Sequence, residues 1–343
     1  MAEIKHNEVV TGTTWNCYDA ATMTPREIYG RTLTEIGKTD PRIVGLSADL
    51  AKTTALTYFA DAFPDRFFNV GIAEQNMMGI AAGLAKTGLI PFVSTMAIFA
   101  SLRAGEQVRT DIAYQNLPVK IIATHGGISF GHAGTTHHCT EDFAIMRSVA
   151  NMTVICPADG IETSRVVRAC MDVPGPVYIR IGRGFEPPCY ENEEYPFKIG
   201  KAVEMRDGKD LTIICCGIAV IQSVEAAKTL AAEDGLSVRI LNMHTIKPID
   251  REAVLKALND TRRILTVEEH NVVGGLGHAV GNVIAESGKG CVFKKHGLQD
   301  EFAVIGYAED LYTHYGLDSN GIIDKVREMM GMEFEADEDW NDE

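Results

Sequence analysis

Short Val- and Ile-rich runs alternate with helix-patterned stretches along almost the whole chain, and no other feature narrows the fold as much. Apolar runs of strand length, each followed by a helical pattern, are what a largely parallel sheet covered by helices on both faces requires. The class is therefore α/β. A helix is expected from about Thr24, with strands at 43–47, ending near 68–70, and at 90–93, 119–124, 152–156 and 177–181. A further helix should start near Glu74 and run through MMGIAAGLAKTG. Between Arg183 and Lys198 the pattern breaks into GFEPPCYENEEYPF, whose paired prolines and acidic residues suit an exposed linker. Beyond it, LTIICCGIAV, VEAAKTLAAE, SVRILNM, DREAVLKAL, RILTVEE and the stretch after GGLG resume the alternation as a second, smaller α/β unit. No internal repeat relates the halves.

A chain of 343 residues suits two domains of ordinary size. The expected boundaries are an N-terminal extension 1–20, a first domain 21–188, a linker 189–198, a second domain 199–331 and an acidic tail 332–343. The formal charge of -15 argues against nucleic acid or an anionic membrane as partner, since phosphate backbones reward clustered cations. A small anionic substrate stays open if cations gather locally. The eight cysteines form no CxxC pair, and Cys215 and Cys216 lie in an apolar run, so reduced core thiols are expected. MAEIKHNEVV lacks the apolar core of a signal peptide and no run reaches the length of a membrane span, so the expectation is a cytoplasmic protein.

Polar residues of interest fall where the expected strands end, the place where open parallel sheets bind ligands. Val70-Gly71-Ile72-Ala73-Glu74-Gln75 puts a carboxylate directly after a strand, at the head of a helix rich in Ala, Gly and Met. On its own, Glu74 reads as a first-turn acid complementing the helix dipole. The stretch ATHGGISFGHAGTTHHCTEDFAIMR carries His125, His132, His137 and His138. A metal site is one reading of four histidines, but neither an H-E-x-x-H helix nor convergent cysteines accompany them, and no metal ligand is assigned.

NVGIAEQ resembles the signature of the pyrimidine-binding domain of transketolases and their thiamine-diphosphate-dependent relatives. The resemblance covers nearly the whole chain to about residue 331 and implies a pyrimidine-binding fold followed by a transketolase C-terminal α/β domain. In that family the glutamate of the motif, here Glu74, hydrogen-bonds the cofactor's aminopyrimidine and favours the tautomer that deprotonates the thiazolium carbon. GLSADLAKTT looks like the loop whose aspartate, here Asp49, lies beside the cofactor. PFVSTMAIFASLRAGEQVR looks like the segment that stacks aromatics on the pyrimidine, with Phe99 as the ring and Met96 replacing the first aromatic. Gly105 stands at a later position that is bulky in the family. Without the resemblance, Phe99 and Met96 read as ordinary core.

The histidine stretch is similar to the family's T-H-x-x-I-x-x-G-E-D-G-x-T-H-Q. His125 then matches a histidine that binds the sugar phosphate, and His137 one close to the reacting carbons. His132-Ala133 stands where the family has Glu-Asp, and His138 where it has Gln. Ala133 cannot accept the hydrogen bond by which the family's aspartate reads the acceptor sugar, which implies relaxed discrimination or room for another substituent. For His132 and His138 two readings stay open, sugar contact or a bond to the loop's own backbone. Arg26 and Arg183 match the family's phosphate-binding arginines, with Thr53 at a nearby hydroxyl position.

Transketolases also bind the cofactor's diphosphate through Mg2+ in a domain marked by Gly-Asp-Gly, a tripeptide this sequence lacks. The resemblance thus implies the C-terminal subunit of a split enzyme. Its partner would be an N-terminal, Mg2+- and diphosphate-binding subunit, most simply in an α2β2 assembly. Such a pair would transfer a two-carbon ketol unit from an anionic ketose, phosphorylated, branched or sulfonated, to an aldehyde. The alternatives are a 2-oxoacid dehydrogenase E1 β-type subunit, a deoxyxylulose-phosphate-synthase-like subunit, or a non-catalytic regulatory paralogue.

Overall fold

The computed structural model describes residues 23–184, 186–190 and 194–331. The expected N-terminal extension 1–20 and acidic tail 332–343 lie outside them. The described strands are β1 (Ile43–Ser47), β2 (Phe67–Asn69), β3 (Ile90–Met96), β4 (Lys120–Thr124), β5 (Thr153–Ile155), β6 (Val177–Arg180), β7 (Val203–Arg206), β8 (Leu211–Cys215), β9 (Val238–Asn242), β10 (Thr245–Lys247), β11 (Arg263–Asn271) and β12 (Val292–Leu298). They form a seven-stranded sheet in the order β10-β5-β6-β4-β3-β1-β2 and a five-stranded sheet in the order β12-β11-β8-β9-β7. Both are parallel except at one edge, where β10 runs against β5 and β7 against β9. Strands β1, β3, β4, β6 and β8 are buried at every position, which is why they read as continuous rather than alternating apolar runs.

Three strands escape the sequence reading, among them β12, whose VFKKHGL is interrupted by charged and polar residues. The edge strand β7 presents one buried residue and three partly or fully exposed ones, too little for an apolar signal. The three-residue β10 comes from the second half of the chain yet completes the edge of the first sheet, a pairing that no local periodicity encodes. The stretch Arg183–Lys198 reads as exposed, but the structure buries Glu186 and Tyr190 within it. Tyr190 is held because its hydroxyl donates to Glu162 at 3.1 Å and its ring stacks on Tyr195 at 3.9 Å between centroids.

Two local features position the site. Thr24 and Glu27 form a capping box at the start of the helix Pro25–Thr39, with Pro25 in its first turn, so the backbone under Arg26 is fixed by a cap worth about 1 kcal/mol. After β3 the chain winds as π-helix over Phe99–Arg103 and again over Val108–Ala113, with one α-turn, Gly105–Gln107, between them. π-winding of this kind recurs at functional sites.

A buried ionic cluster ties the two sheets together beneath the site. Arg180, at the end of β6, is 3 % exposed. Its guanidinium lies 3.7 Å from an Asp142 oxygen and 3.5 Å from a Glu269 oxygen, donates to the Glu269 carbonyl at 2.6 Å, and sits 4.4 Å over the Phe143 ring. Burial opposes the charge on Arg180, but Asp142 and Glu269 outweigh it and raise the arginine's pKa. Glu269 also accepts from the Ile128 amide at 2.8 Å, which anchors the loop following β4. Gly127 of that loop has φ 59° and lies where a Cβ would strike Arg180 and Glu269, so only glycine fits.

Candidate active site

The nominated residues cluster beyond the carboxyl ends of the first sheet's strands. Asp49 follows β1, Glu74 follows β2, Met96 ends β3 with Phe99 just after it, the four histidines follow β4, and Arg183 follows β6. Only Arg26 precedes the first strand, carried in on its capped helix.

Glu74 opens the helix Glu74–Lys86 and is 2 % exposed. One carboxylate oxygen, Oε1, accepts from Arg103 Nη1 at 2.8 Å, while Oε2 is buried without a hydrogen-bond partner. An orphan buried carboxylate oxygen is costly and marks a place where a donor belongs. The Arg103 guanidinium lies 3.9 Å over the Phe99 ring, so the acid and the aromatic face border one slot.

From that slot an unbroken line of contacts leads to the cations. Phe99 meets His137 edge-on at 5.6 Å between ring centroids, and His137 meets Phe130 at 5.5 Å. Phe130 in turn touches His125 and His132, each at 4.9 Å, and carries the Arg183 guanidinium 4.6 Å over its face. Phe130 goes unnoticed in the sequence because an aromatic in a loop carries no polar signal, yet it is the hub around which the loop's histidines are arranged. His137 Nδ1 lies 2.9 Å from Thr136 Oγ1, which fixes the ring's orientation.

Arg26, His125 and Arg183 converge. Burial first, and then the charge of Arg183, lower the pKa of Arg26. Burial, then Arg26, Arg183 and His137, push His125 down to about 3, so that it is neutral across the working range. His125 is held at φ 61° with Nδ1 2.8 Å from Thr124 Oγ1. A left-handed φ on a non-glycine residue is strained and is kept where surrounding structure enforces it. Arg26 donates to the Thr53 carbonyl at 2.6 Å, so Thr53 braces the arginine through its backbone. Among the described residues no carboxylate lies within ion-pair distance of Arg26 or Arg183. Two neighbouring guanidinium groups without an internal counter-ion form a site suited to an anionic ligand.

Glu27 and, after it, Glu186 are the carboxylates whose charge acts on Arg26, and sequence reasoning misses Glu186 because it sits in the stretch read as a linker. It is 8 % exposed with Oε2 unpartnered, and burial, followed by the charge of Glu269, raises it to about 8. At neutral pH it therefore keeps its proton and leaves the clamp positive.

The remaining nominees differ in how they join the site. His138 points back into its own loop, with Nε2 donating to the Gly131 carbonyl at 3.0 Å. His132 is exposed and lies 6.2 Å from the Tyr307 ring of the second half of the chain. Met96 is buried at the end of β3. Asp49 is exposed with φ 61°, and its amide donates to Asn69 Oδ1 at 3.0 Å. Asn69 Oδ1 accepts from Gly71 as well, at 3.1 Å, and so couples the Asp49 turn to the entry of the Glu74 helix. No group of three or more His, Cys, Asp or Glu side chains placed to hold a metal occurs among the described residues. Nor is any described helix long and apolar enough to cross a membrane.

Comparison with known proteins accounts for both halves of the chain. Residues 21–185 match the transketolase pyrimidine-binding domain, and residues 200–322 the transketolase C-terminal domain. The chain is 40 % identical to one of the subunits of the apulose-4-phosphate transketolase of Phocaeicola vulgatus, over 87 % of this chain and 94 % of that one. It is 37 % identical to the 6-deoxy-6-sulfo-D-fructose transketolase subunit SqwH of a Clostridium species, over 89 % and 94 %. Among solved structures, a split-gene transketolase in the form of an inactive β4 tetramer superposes with a TM-score of 0.81 at 42 % identity, covering 90 % of this chain and 98 % of that one. The chain belongs to the transketolase family, whose pyrimidine-binding and C-terminal domains it carries.

Proposed function

We propose that this chain is the C-terminal subunit of a two-subunit, cytoplasmic transketolase that moves a two-carbon ketol unit from an anionic ketose to an aldehyde acceptor. The observation that carries this reading is the buried, unpartnered Oε2 of Glu74, whose other oxygen shares the Arg103 guanidinium with the Phe99 ring. A carboxyl oxygen lacking a donor, in a slot bordered by an aromatic face, fits the edge and the face of an aminopyrimidine. The residues present therefore fit thiamine diphosphate, with Glu74 at the ring nitrogen, Phe99 and Met96 against the ring, and Asp49 alongside. When bound, the cofactor supplies a nucleophilic carbon and a sink for the electron pair of carbon–carbon cleavage.

The chain's own residues would do the rest. Glu74 shares a proton with the pyrimidine nitrogen in a site that excludes water. Arg26, His125 and Arg183, with Thr53 holding Arg26, grip the sugar's anionic end and so fix its carbonyl at one distance from the slot. His137 stands between slot and clamp, where it can move a proton to or from a sugar hydroxyl. Its partner would be a separate N-terminal subunit that binds the diphosphate through Mg2+, in an α2β2 assembly. The structural relative described as an inactive β4 tetramer supports a chain of this kind being idle by itself. In the same reading, residues 21–188 hold the pyrimidine, 189–198 link the domains and 199–331 form the C-terminal domain.

The sugar is set at the loop from His132 to His138. Ala133 leaves room where the family carries a carboxylate, and two relatives are named for a branched sugar phosphate and a sulfosugar. We therefore place the preference of this enzyme with a branched or sulfonated ketose. Both proposals are tested in one reconstitution. With the N-terminal subunit present, Glu74→Ala should lower turnover by about 10²–10⁴-fold while the complex still assembles. Unchanged turnover would remove Glu74 from the mechanism. Wild-type turnover with apulose 4-phosphate or 6-deoxy-6-sulfofructose should exceed that with xylulose 5-phosphate, and a clear preference for the last overturns the assignment of sugar.

A further inference from the structure

Arg103 occupies the slot between Glu74 and Phe99 in a way that neither the anion clamp nor the proton chemistry uses. Its guanidinium satisfies two surfaces at once, the Glu74 carboxylate at 2.8 Å and the Phe99 face at 3.9 Å. These are the two surfaces that a flat, nitrogen-edged ring would need. A guanidinium is itself planar and delocalised, donates hydrogen bonds from its edge and stacks through its face. We propose that Arg103 is an internal stand-in for the cofactor's aminopyrimidine, holding the slot closed in the free chain and swinging out to admit the ring. The inference rests on the assignment of Glu74 and Phe99 to the pyrimidine.

Three further features suit a group that leaves. The Arg103 side chain is 46 % exposed whereas that of Glu74 is 1 % exposed, so the arginine has solvent to turn into and the acid stays. Glu74 is the sole carboxylate within ion-pair distance of Arg103 among the described residues, so apart from the Phe99 stack no second ionic anchor opposes the swing. Lastly, Arg103 ends a π-wound turn closed by the bond from the Ala104 amide to the Phe99 carbonyl at 3.1 Å. A π-turn, with bonds spanning five residues, carries a side chain four residues on back over its starting residue, and brings the guanidinium above Phe99. A half-exposed ion pair and a stacked guanidinium are each worth a few-fold to about tenfold in affinity, small enough for a ligand to displace.

The test needs no partner subunit. The purified chain is titrated with 4-amino-5-hydroxymethyl-2-methylpyrimidine, the ring half of thiamine diphosphate, and binding is followed by ligand-observed NMR. Arg103→Ala should bind the ring about tenfold more tightly than wild type, and Arg103→Lys, which keeps the charge but loses the planar stack, should fall between. Unaltered melting curves for the lysine variant guard against a folding defect in the alanine variant. Wild-type binding that is weakened or unmoved by both substitutions overturns the stand-in while leaving the pyrimidine assignment in place. Absence of binding by all three chains at millimolar ring overturns the pyrimidine assignment, and the stand-in falls with it.

Discussion

Two arginines three positions apart in the chain have opposite fates. Arg180, at the end of β6, is enclosed by Asp142, Glu269, a backbone carbonyl and the Phe143 ring, and its charge is answered inside the protein. Arg183 faces another arginine, Arg26, across a neutral histidine, and the nearby Glu186 keeps its proton. The same side chain from the same strand end is thus a fastener in one place and an open valence in the other. What separates them is proximity of carboxylate: Asp142 and Glu269 lie 3.7 and 3.5 Å from the Arg180 guanidinium, and among the described residues none lies within ion-pair distance of Arg183. A buried ion pair holds the fold, while a half-buried excess of positive charge is tolerated because a ligand completes it.

The largest effect should come from the fastener. Arg180→Ala would leave Asp142 and Glu269 buried without their counter-ion and free the loop that carries His125. Breaking one side of a buried pair costs about 3–5 kcal/mol, so the variant should lose most of its resistance to urea. Chemical denaturation of the isolated chain reads this directly. A loss under about 1 kcal/mol would mean that water reaches the cluster and that the contrast between the two arginines is one of position only.

The clamp should answer the other way. Arg183→Ala and Arg26→Ala remove charge that the fold does not need, so their unfolding midpoints should stay close to wild type. In the reconstituted enzyme KM for the anionic ketose should rise by about 10–100-fold, as expected for the loss of a charged hydrogen bond, with a smaller change in kcat. An uncharged ketose analogue should show no such rise. Equal losses with both sugars would sink the clamp.

How far this division can be read from the sequence differs by residue. The α/β alternation, the Glu74 helix start and the strand ends are legible because buried parallel strands and helix starts leave continuous local patterns. The buried cluster is not. Arg180, Asp142 and Glu269 belong to separate segments, and nothing in YIRIGRG distinguishes the arginine that will be paired from the one that will not. Phe130 and Asn69 escape for a related reason, since a hub or a brace is defined by its neighbours in space. β10 is invisible because three residues from the second half of the chain complete the sheet of the first.

Glu186 gives the finest probe of the contrast, because it can be turned from spectator into counter-ion by pH alone. Its folded pKa of about 8 lies above its ordinary 4.5, so the folded chain holds a proton that the unfolded chain has released between those values. The stabilisation from that proton is complete below about pH 4.5, is lost as pH rises, and is gone above about pH 8. Above that point the clamp gains an anion near Arg26, and it should begin to resemble the Arg180 site. KM for the anionic ketose should then rise a few-fold between about pH 7 and 9, a modest change because the new charge and the ligand are not in direct contact. Glu186→Gln, which is neutral throughout, should flatten that rise and should gain stability over wild type as pH increases across the same interval. If the glutamine variant kept the full pH dependence of KM, the positive excess at the clamp would have to be guarded by some other group, and the proton on Glu186 would serve the fold alone.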